Sequence, residues 1–332
     1  MKFFQRWLRG RRPDYERATE GDIYSAYRLL LRREPDPTGL EHYRQHIAKG
    51  LSIKQMVRAF LNSEEYKQQN GNKRPISVDL GGYQVCVDKS EPEFGRAIFH
   101  THQYEEHVRK VVRENVREGD FVIDVGANVG VITFLAASLV GRQGRVFAVE
   151  PNSTNLQLLY RGILLNEFTN VNVLPYAASS ERSVFSLAGG KSNSHLSTPQ
   201  ASGKLRNLVQ SVALDEVLGD LPKLNFVKMD IEGHEPRALT GLSRLLSRHR
   251  PKLLVEFNPR CLVDLQKQDP AAFLNQIFST YQHVRVTSAF KDDIVFTEAT
   301  ALMAYWERRN VEIKTQNLLP DRMLHFDLVA TR

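Results

Sequence analysis

The apolar positions follow two different rhythms along the chain. Between residues 16 and 70 they recur at helical spacing: Ile23, Ala26, Tyr27, Leu30 and Leu31, then Ile53, Met56, Val57, Phe60 and Leu61. That spacing predicts three short helices. The first stops at Glu34-Pro35, because the residue before a proline avoids the helical region. The second opens at the turn Asp36 to Gly39, with a proline in its first turn, and the third follows Ser52 as its N-cap. A polar run near 67–75 reads as a linker.

From residue 76 the rhythm becomes strand–helix alternation. ISVDLGGYQVCVD predicts a hairpin turning at Gly81-Gly82, and a helix follows near Tyr104 to Val116. Strands are expected at 121–125, 145–150, 171–176, 225–230, 252–257, 283–288 and 323–330, with helices at 130–140, 153–166 and 234–247. SVFSL and NLVQSVA add short strands inside a polar segment. Strands separated by helices imply parallel pairing with right-handed crossovers, hence a doubly wound α/β sheet. The chain then divides into a basic amphipathic arm (1–15), a small all-α module (16–72) and an α/β domain (73–332).

Composition narrows the function classes. The chain has 332 residues, 42% hydrophobic and 25% charged, an ordinary globular balance that excludes global disorder. The formal charge is +7, but Lys2, Arg6, Arg9, Arg11 and Arg12 supply five of those charges in an acid-free stretch of twelve residues. The near-neutral remainder lacks the broad basic face of a nucleic-acid binder, so no nucleic-acid partner is expected. The arm sets Phe3, Phe4, Trp7 and Leu8 against those cations, a pattern that can lie on an anionic membrane surface or simply fray. Cys86 and Cys261 fit neither a disulfide framework nor a zinc spacing, which suggests packing residues in a reducing compartment. The longest apolar run, Val129 to Val140, is too short for a bilayer, and no secretory signal follows the basic start. The expected location is cytoplasmic, with the arm as a peripheral contact at the inner face of the membrane.

The most informative stretch is FVIDVGANVGVITFLA followed by RVFAVEP. A buried strand ends in Asp124. Gly126, Asn128 and Gly130 then turn the chain into a helix at the carboxyl end of that strand, where open α/β sheets bind ligands. Glu150 closes the next strand, at the position where a carboxylate accepts ribose hydroxyls. The order G-A-N-V-G lacks the third glycine of a dinucleotide loop and no P-loop occurs, which disfavours a nicotinamide oxidoreductase. An acid beside the loop repels a phosphate and suits a sulfonium and an ammonium, so the cofactor indicated is S-adenosylmethionine. The plain alternative is a structural turn with a satisfied asparagine.

Two resemblances follow from longer patterns. Residues around Arg33, Pro35, Asp36 and Gly39, closing on Phe60, Ser63, Glu65 and Tyr66, resemble a short bacterial helical domain of unknown function often attached to surface or polysaccharide-related proteins. This implies a protein- or glycan-interaction part; a helical cap is the alternative. Residues 76–330, through QYEEHV, VIDVGANVG, AVEPN, VALDEVL, VKMDIEGHEPRALTG and LLVEFNP, resemble the FkbM-type S-adenosylmethionine-dependent methyltransferases. The resemblance implies a Rossmann-like class I methyltransferase sheet, mostly parallel with an antiparallel last strand. It also implies cofactor positions at Asp124, Gly126, Asn128, Gly130 and Glu150, with Tyr104 and Glu105 near the methionine end and Ala177 and Ala178 near adenine.

Methyl transfer needs the acceptor held in line and its proton removed. Asp230 and Glu232, at and just beyond one strand end, and Glu256, at the next, are the candidate carboxylates. His195, in the polar segment 189–204, is a further candidate base. Glu235 reads as a first-turn carboxylate facing its helix dipole. Three acids at one mouth also match metal-ligand chemistry, but no residue is assigned to a metal. The expected activity is O-methylation of a sugar, glycan or secondary metabolite. Methylation of nitrogen, protein or RNA, or a non-catalytic binding protein of the same fold, are the alternatives.

Overall fold

A computed structural model describes residues 17–70, 75–91, 94–189, 194–197, 208–318 and 323–332. The basic arm lies outside the described residues, and of the polar segment 189–204 only Gly189 and 194–197 fall within them. The chain forms two compact units that divide between residues 74 and 75.

Among the described residues, the first unit holds four helices: α1 (Glu20–Leu30), α2 (Pro37–Ala48), α3 (Ile53–Asn62) and α4 (Glu64–Asn70). The fourth is one more than the apolar spacing predicts. It occupies the start of the polar run read as linker, and Ser63 Oγ accepts from Tyr66 N at 3.2 Å to open it. Asp36 caps α2 by accepting from Gly39 N at 2.8 Å. The Arg-x-Pro-Asp-x-x-Gly pattern acts as a latch. Arg33 forks onto Glu65 at 2.6 and 2.8 Å, reaches Asp36 at 3.1 Å and lies over the Tyr27 ring. Gly39 is required because a Cβ there would meet Tyr27 Oη at 2.0 Å.

The second unit opens with the hairpin β1 (Ile76–Asp79) and β2 (Gln84–Val87), then α5 (Phe94–Thr101) and α6 (Glu106–Asn115). The strand–helix alternation follows: β3 (Phe121–Val125), α7 (Val131–Val140), β4 (Arg145–Val149), α8 (Ser153–Leu165) and β5 (Val171–Leu174). A four-stranded sheet of β6 (Ala177–Ala178), β7 (Ser183–Gly189), β8 (Ser194–Ser197) and β9 (Leu208–Val212) comes next, in the order β6-β9-β7-β8. The chain then runs through α9 (Leu214–Val217), β10 (Phe226–Met229), α10 (Glu235–Thr240), α11 (Ser243–His249), β11 (Lys252–Phe257), a π-turn (Cys261–Leu265) and α12 (Pro270–Phe278). It ends with β12 (His283–Thr287), β13 (Asp293–Phe296), α13 (Ala299–Thr315) and β14 (Phe326–Thr331).

The main sheet has eight strands in the order β13-β12-β14-β11-β10-β3-β4-β5. The strands β5, β4, β3, β10 and β11 pair in parallel, and β14 inserts antiparallel between β11 and β12. This is the doubly wound sheet that the pattern predicts, with the antiparallel last strand that the resemblance implies. Its middle strands are apolar on both faces, as helices on either side require. The stretch expected as one helix at 234–247 breaks at Gly241-Leu242 into α10 and α11. A Cβ at Gly241 would meet Ser179 O at 2.0 Å, so the bend sits where a neighbouring backbone presses in. Among the described residues, no helix is long and apolar enough to cross a membrane.

Candidate cofactor and acceptor site

The carboxyl ends of β3, β4, β10 and β11 open into one cavity of about 840 Å³. Ten of the residues singled out in the sequence line it: Tyr104, Glu105, Gly126, Asn128, Glu150, Ala177, Ala178, Asp230, Glu232 and Glu256. The parallel register explains the gathering, since strands that end level bring their following loops to one edge.

At one end the loop after β3 is laced to Glu150. Asn128 N and Asn152 N donate to its two oxygens at 2.8 and 2.7 Å. Asn128 sits in the left-handed region (φ 50), and its side-chain Oδ1 is buried without a hydrogen-bond partner. Gly126 has φ +82, and a Cβ on it would lie 1.9 Å from Asp230 O, so two strand ends approach here as only glycine allows. Burial pushes the Glu150 carboxyl up to about 7, against the two N–H donors that favour its charged form. Glu105, at the start of α6, is also left-handed (φ 38). Burial, then the nearby Asp230 and Asp327, push its carboxyl up to about 8.

At the other end, oxygens of Asp230, Glu235 and Glu256 lie within 4.8 Å of one another, a spacing that could take a cation. Glu235 accepts from Ile231 N at 2.7 Å, and burial lifts its carboxyl to about 8. This fastens the loop before α10, where the sequence suggests only a dipole contact. Burial and the charge of Asp230 push Glu256 well above the ordinary range, and its Oε2 is buried without a hydrogen-bond partner. Glu232 is left-handed (φ 57) and accepts from Cys261 Sγ at 3.2 Å.

Three sequence candidates are not on the cavity wall. Asp124 is fully buried behind the loop; Thr133 Oγ1 donates to its Oδ2 at 2.6 Å, and Lys228 Nζ lies 3.6 Å from its Oδ1. Its charge is met from inside the protein, and it does not line the cavity. Gly130 is the N-cap of α7 (φ 100). A Cβ there would strike Phe134 Cζ at 2.6 Å and Leu159 Cδ1 at 2.7 Å, so this glycine serves packing. His195 lies on β8 between Ser194 and Leu196, which both line the cavity; strand alternation turns it to the other face.

Lys228 lies in the stretch VKMDIEGHEPRALTG, but the sequence reading gives it no role in the site. It is 6% exposed on β10, registers beside Asp124, donates to Gly126 O at 3.2 Å and stands 3.5 Å from Asp230 Oδ2. Burial would lower its pKa, but Asp230 and Asp124 raise it well above the ordinary lysine value. A signal is present in the sequence: FVKM is buried at all four positions, and a lysine there calls for the aspartate one strand away. His234, next to Glu235, is 1% exposed and is held by Ser179 and Gln266.

Residues 124–287 match the family described as the Methyltransferase FkbM domain, and residues 15–70 match a domain of unknown function, DUF4214. A curated relative, the hexuronic acid methyltransferase AglP of Haloferax volcanii, is 29% identical over 146 residues, 43% of this chain. The match spans 58% of that relative's length. Among solved structures, a methyltransferase FkbM from Methylobacillus flagellatus superposes with a TM-score of 0.37 at 20% identity, covering 80% of this chain and 72% of the other. A precorrin-6y C5,15-methyltransferase from Geobacter metallireducens gives 0.38 at 15% identity, covering 70% and 92%.

Proposed function

We propose, from the match of residues 124–287 to the Methyltransferase FkbM domain, that the chain transfers the methyl group of S-adenosylmethionine to a hydroxyl of a sugar or glycan. The observation that carries this reading is the single cavity with a glycine loop and Glu150 at one end and the Asp230 and Glu256 carboxylates at the other.

The residues present fit that cofactor. Six carboxylates line the cavity (Glu105, Glu150, Asp230, Glu232, Glu256 and Asp264) against the cations Lys228 and Arg260, an environment for a positively charged donor. Gly126 allows close backbone approach, and the buried Asn128 Oδ1 is an acceptor in need of a donor. Glu150 would hold the ribose hydroxyls through its remaining lone pairs, Ala177 and Ala178 would flank the adenine, and Tyr104 and Glu105 would face the methionine end. When bound, the cofactor supplies an electrophilic methyl on a charged sulfur.

The protein's part is to place and deprotonate the acceptor. Glu256, which burial and the Asp230 charge hold above the ordinary carboxylate range, stands beside Asp230 at the acceptor end. Asp230, with the Lys228 ammonium 3.5 Å away, would hold and take the proton of an acceptor hydroxyl. Glu232 orients the acceptor from the same loop. His195 takes no part, since its face is turned from the cavity. The sugar class draws support from the curated relative, a hexuronic acid methyltransferase. An acid-lined mouth also opposes a polyanion such as RNA.

The test is radiolabelled methyl transfer to a panel of saccharides, RNA and protein, with wild type, Glu150→Ala and Asp230→Asn. Label entering a saccharide hydroxyl, lost in both variants, is the expected result. Label entering only RNA or protein, or none at all, overturns the assignment.

A further inference from the structure

His234 stands in the stretch VKMDIEGHEPRALTG, between Gly233 and Glu235, and does not line the cavity. It is nevertheless more deeply buried than the acids around it (1% exposed) and is bonded at both ring nitrogens. Nε2 lies 3.0 Å from Ser179 Oγ and Nδ1 lies 3.1 Å from Gln266 Oε1. Gln266 Nε2 donates to Leu196 O at 2.8 Å, which fixes the amide orientation. Its oxygen can only accept, so Nδ1 carries the proton and donates to it. The ring edge also meets Phe185, with centroids 5.4 Å apart at 77°.

This chain of bonds joins four separate pieces of backbone, each carrying a cavity residue. Ser179 follows Ala178 of β6, and Leu196 belongs to β8. Gln266 follows Leu265 of the π-turn, and His234 itself lies two residues after Glu232. The contact is tight: a Cβ on Gly233 would sit 2.6 Å from the carbonyl carbon of Cys261. Close-packed interiors transmit such displacements instead of absorbing them.

We propose that His234 is a positioning residue that sets the width of the cofactor cavity, clamping the wall made by Ala178 and Leu196 to the loop that carries Asp230 and Glu232. The inference rests on reading the cavity as the S-adenosylmethionine site. Removing the imidazole lets the second sheet move relative to that loop, so cofactor affinity falls although no atom that touches the cofactor has changed.

The experiment is calorimetric titration with S-adenosylmethionine of wild type, His234→Ala, His234→Asn and Gln266→Leu, each held well below its thermal midpoint. His234→Ala and Gln266→Leu are expected to weaken binding by about 10- to 50-fold, and the double variant by no more than either alone, as for members of one network. His234→Asn, which keeps an N–H at the δ position, is expected to bind within about threefold of wild type. A merely structural role would lower the melting temperature of these variants and leave the affinity of the folded fraction unchanged. That result overturns the proposal, and an unchanged Gln266→Leu does so even if His234→Ala fails to fold. Absence of binding by the wild type removes the site reading itself and the inference with it, a failure visible in the control alone.

Discussion

Lys228→Met keeps most of the side-chain stem and removes the ammonium, and its consequence can be worked from the contacts. Asp124 is 0% exposed, its Oδ1 has no hydrogen bond, and Lys228 Nζ at 3.6 Å is the charge opposite it. The same ammonium bonds Gly126 O and faces Asp230 Oδ2. Breaking a buried pair by removing one member costs about 3–5 kcal/mol, since it strands the other charge. That is a large share of the roughly 5–15 kcal/mol by which a domain is stable. Urea unfolding, followed by Trp306 fluorescence in a Trp7→Phe background and by circular dichroism, measures it. A cycle with Asp124→Asn isolates the pair. The double variant is expected to recover about 2–3 kcal/mol relative to the summed single effects, the scale of coupling between groups in contact. Additive effects, within about 0.5 kcal/mol, would show that the two do not act as a pair and that Asp124 is satisfied otherwise.

Three further outcomes are expected. Gly126→Ala forces a side chain into left-handed backbone and against Asp230 O, so it should cost on the order of 2–4 kcal/mol in denaturant titrations and abolish S-adenosylmethionine binding; unaltered binding would mean the loop is not built as described. Glu150 and Glu235 are raised from 4.5 to about 7 and about 8, so their neutral forms favour the folded state: that stability is complete below pH about 4.5 and is lost as pH rises through 7 to 8. The melting temperature of the cofactor-free protein should therefore fall between pH 5 and 8, and Glu150→Gln should flatten the fall; a rising profile would contradict the assignment. In the helical unit, Arg33→Lys should lower the first calorimetric transition by about 1 kcal/mol, a small figure because the pair is over a third exposed, since lysine cannot fork onto Glu65 while covering Tyr27. No change in that transition would show the latch to be incidental.

Much of the architecture is legible in the amino-acid pattern. FVIDV and RVFAV form strands where their apolar runs predict, because strands buried on both faces are nearly continuous in sequence. Glu150 is legible from its distance to the glycine loop. What the pattern hides is set by contacts between distant strands. Asp124 reads as a ligand because it ends a strand beside the loop; only the register with β10 shows Lys228 taking its charge. His195 reads as a base inside a polar segment, but which face it takes depends on β7–β8 pairing. The helix α13 carries no clear periodic signal, since its buried Leu302, Tyr305, Trp306, Asn310 and Ile313 mix apolar and polar residues at helical period. The break at Gly241 comes from Ser179 O, contributed by a segment more than sixty residues earlier.

Equilibrium binding of S-adenosylmethionine to the purified chain is the most direct test of the central claim, that this cavity is built for a positively charged methyl donor. The account predicts one site per chain, no comparable binding of NAD, and about a 100-fold loss of affinity in Glu150→Ala, as expected for losing charged hydrogen bonds to two hydroxyls. Wild-type protein that ignores the methyl donor, or that binds NAD in its place, would contradict it.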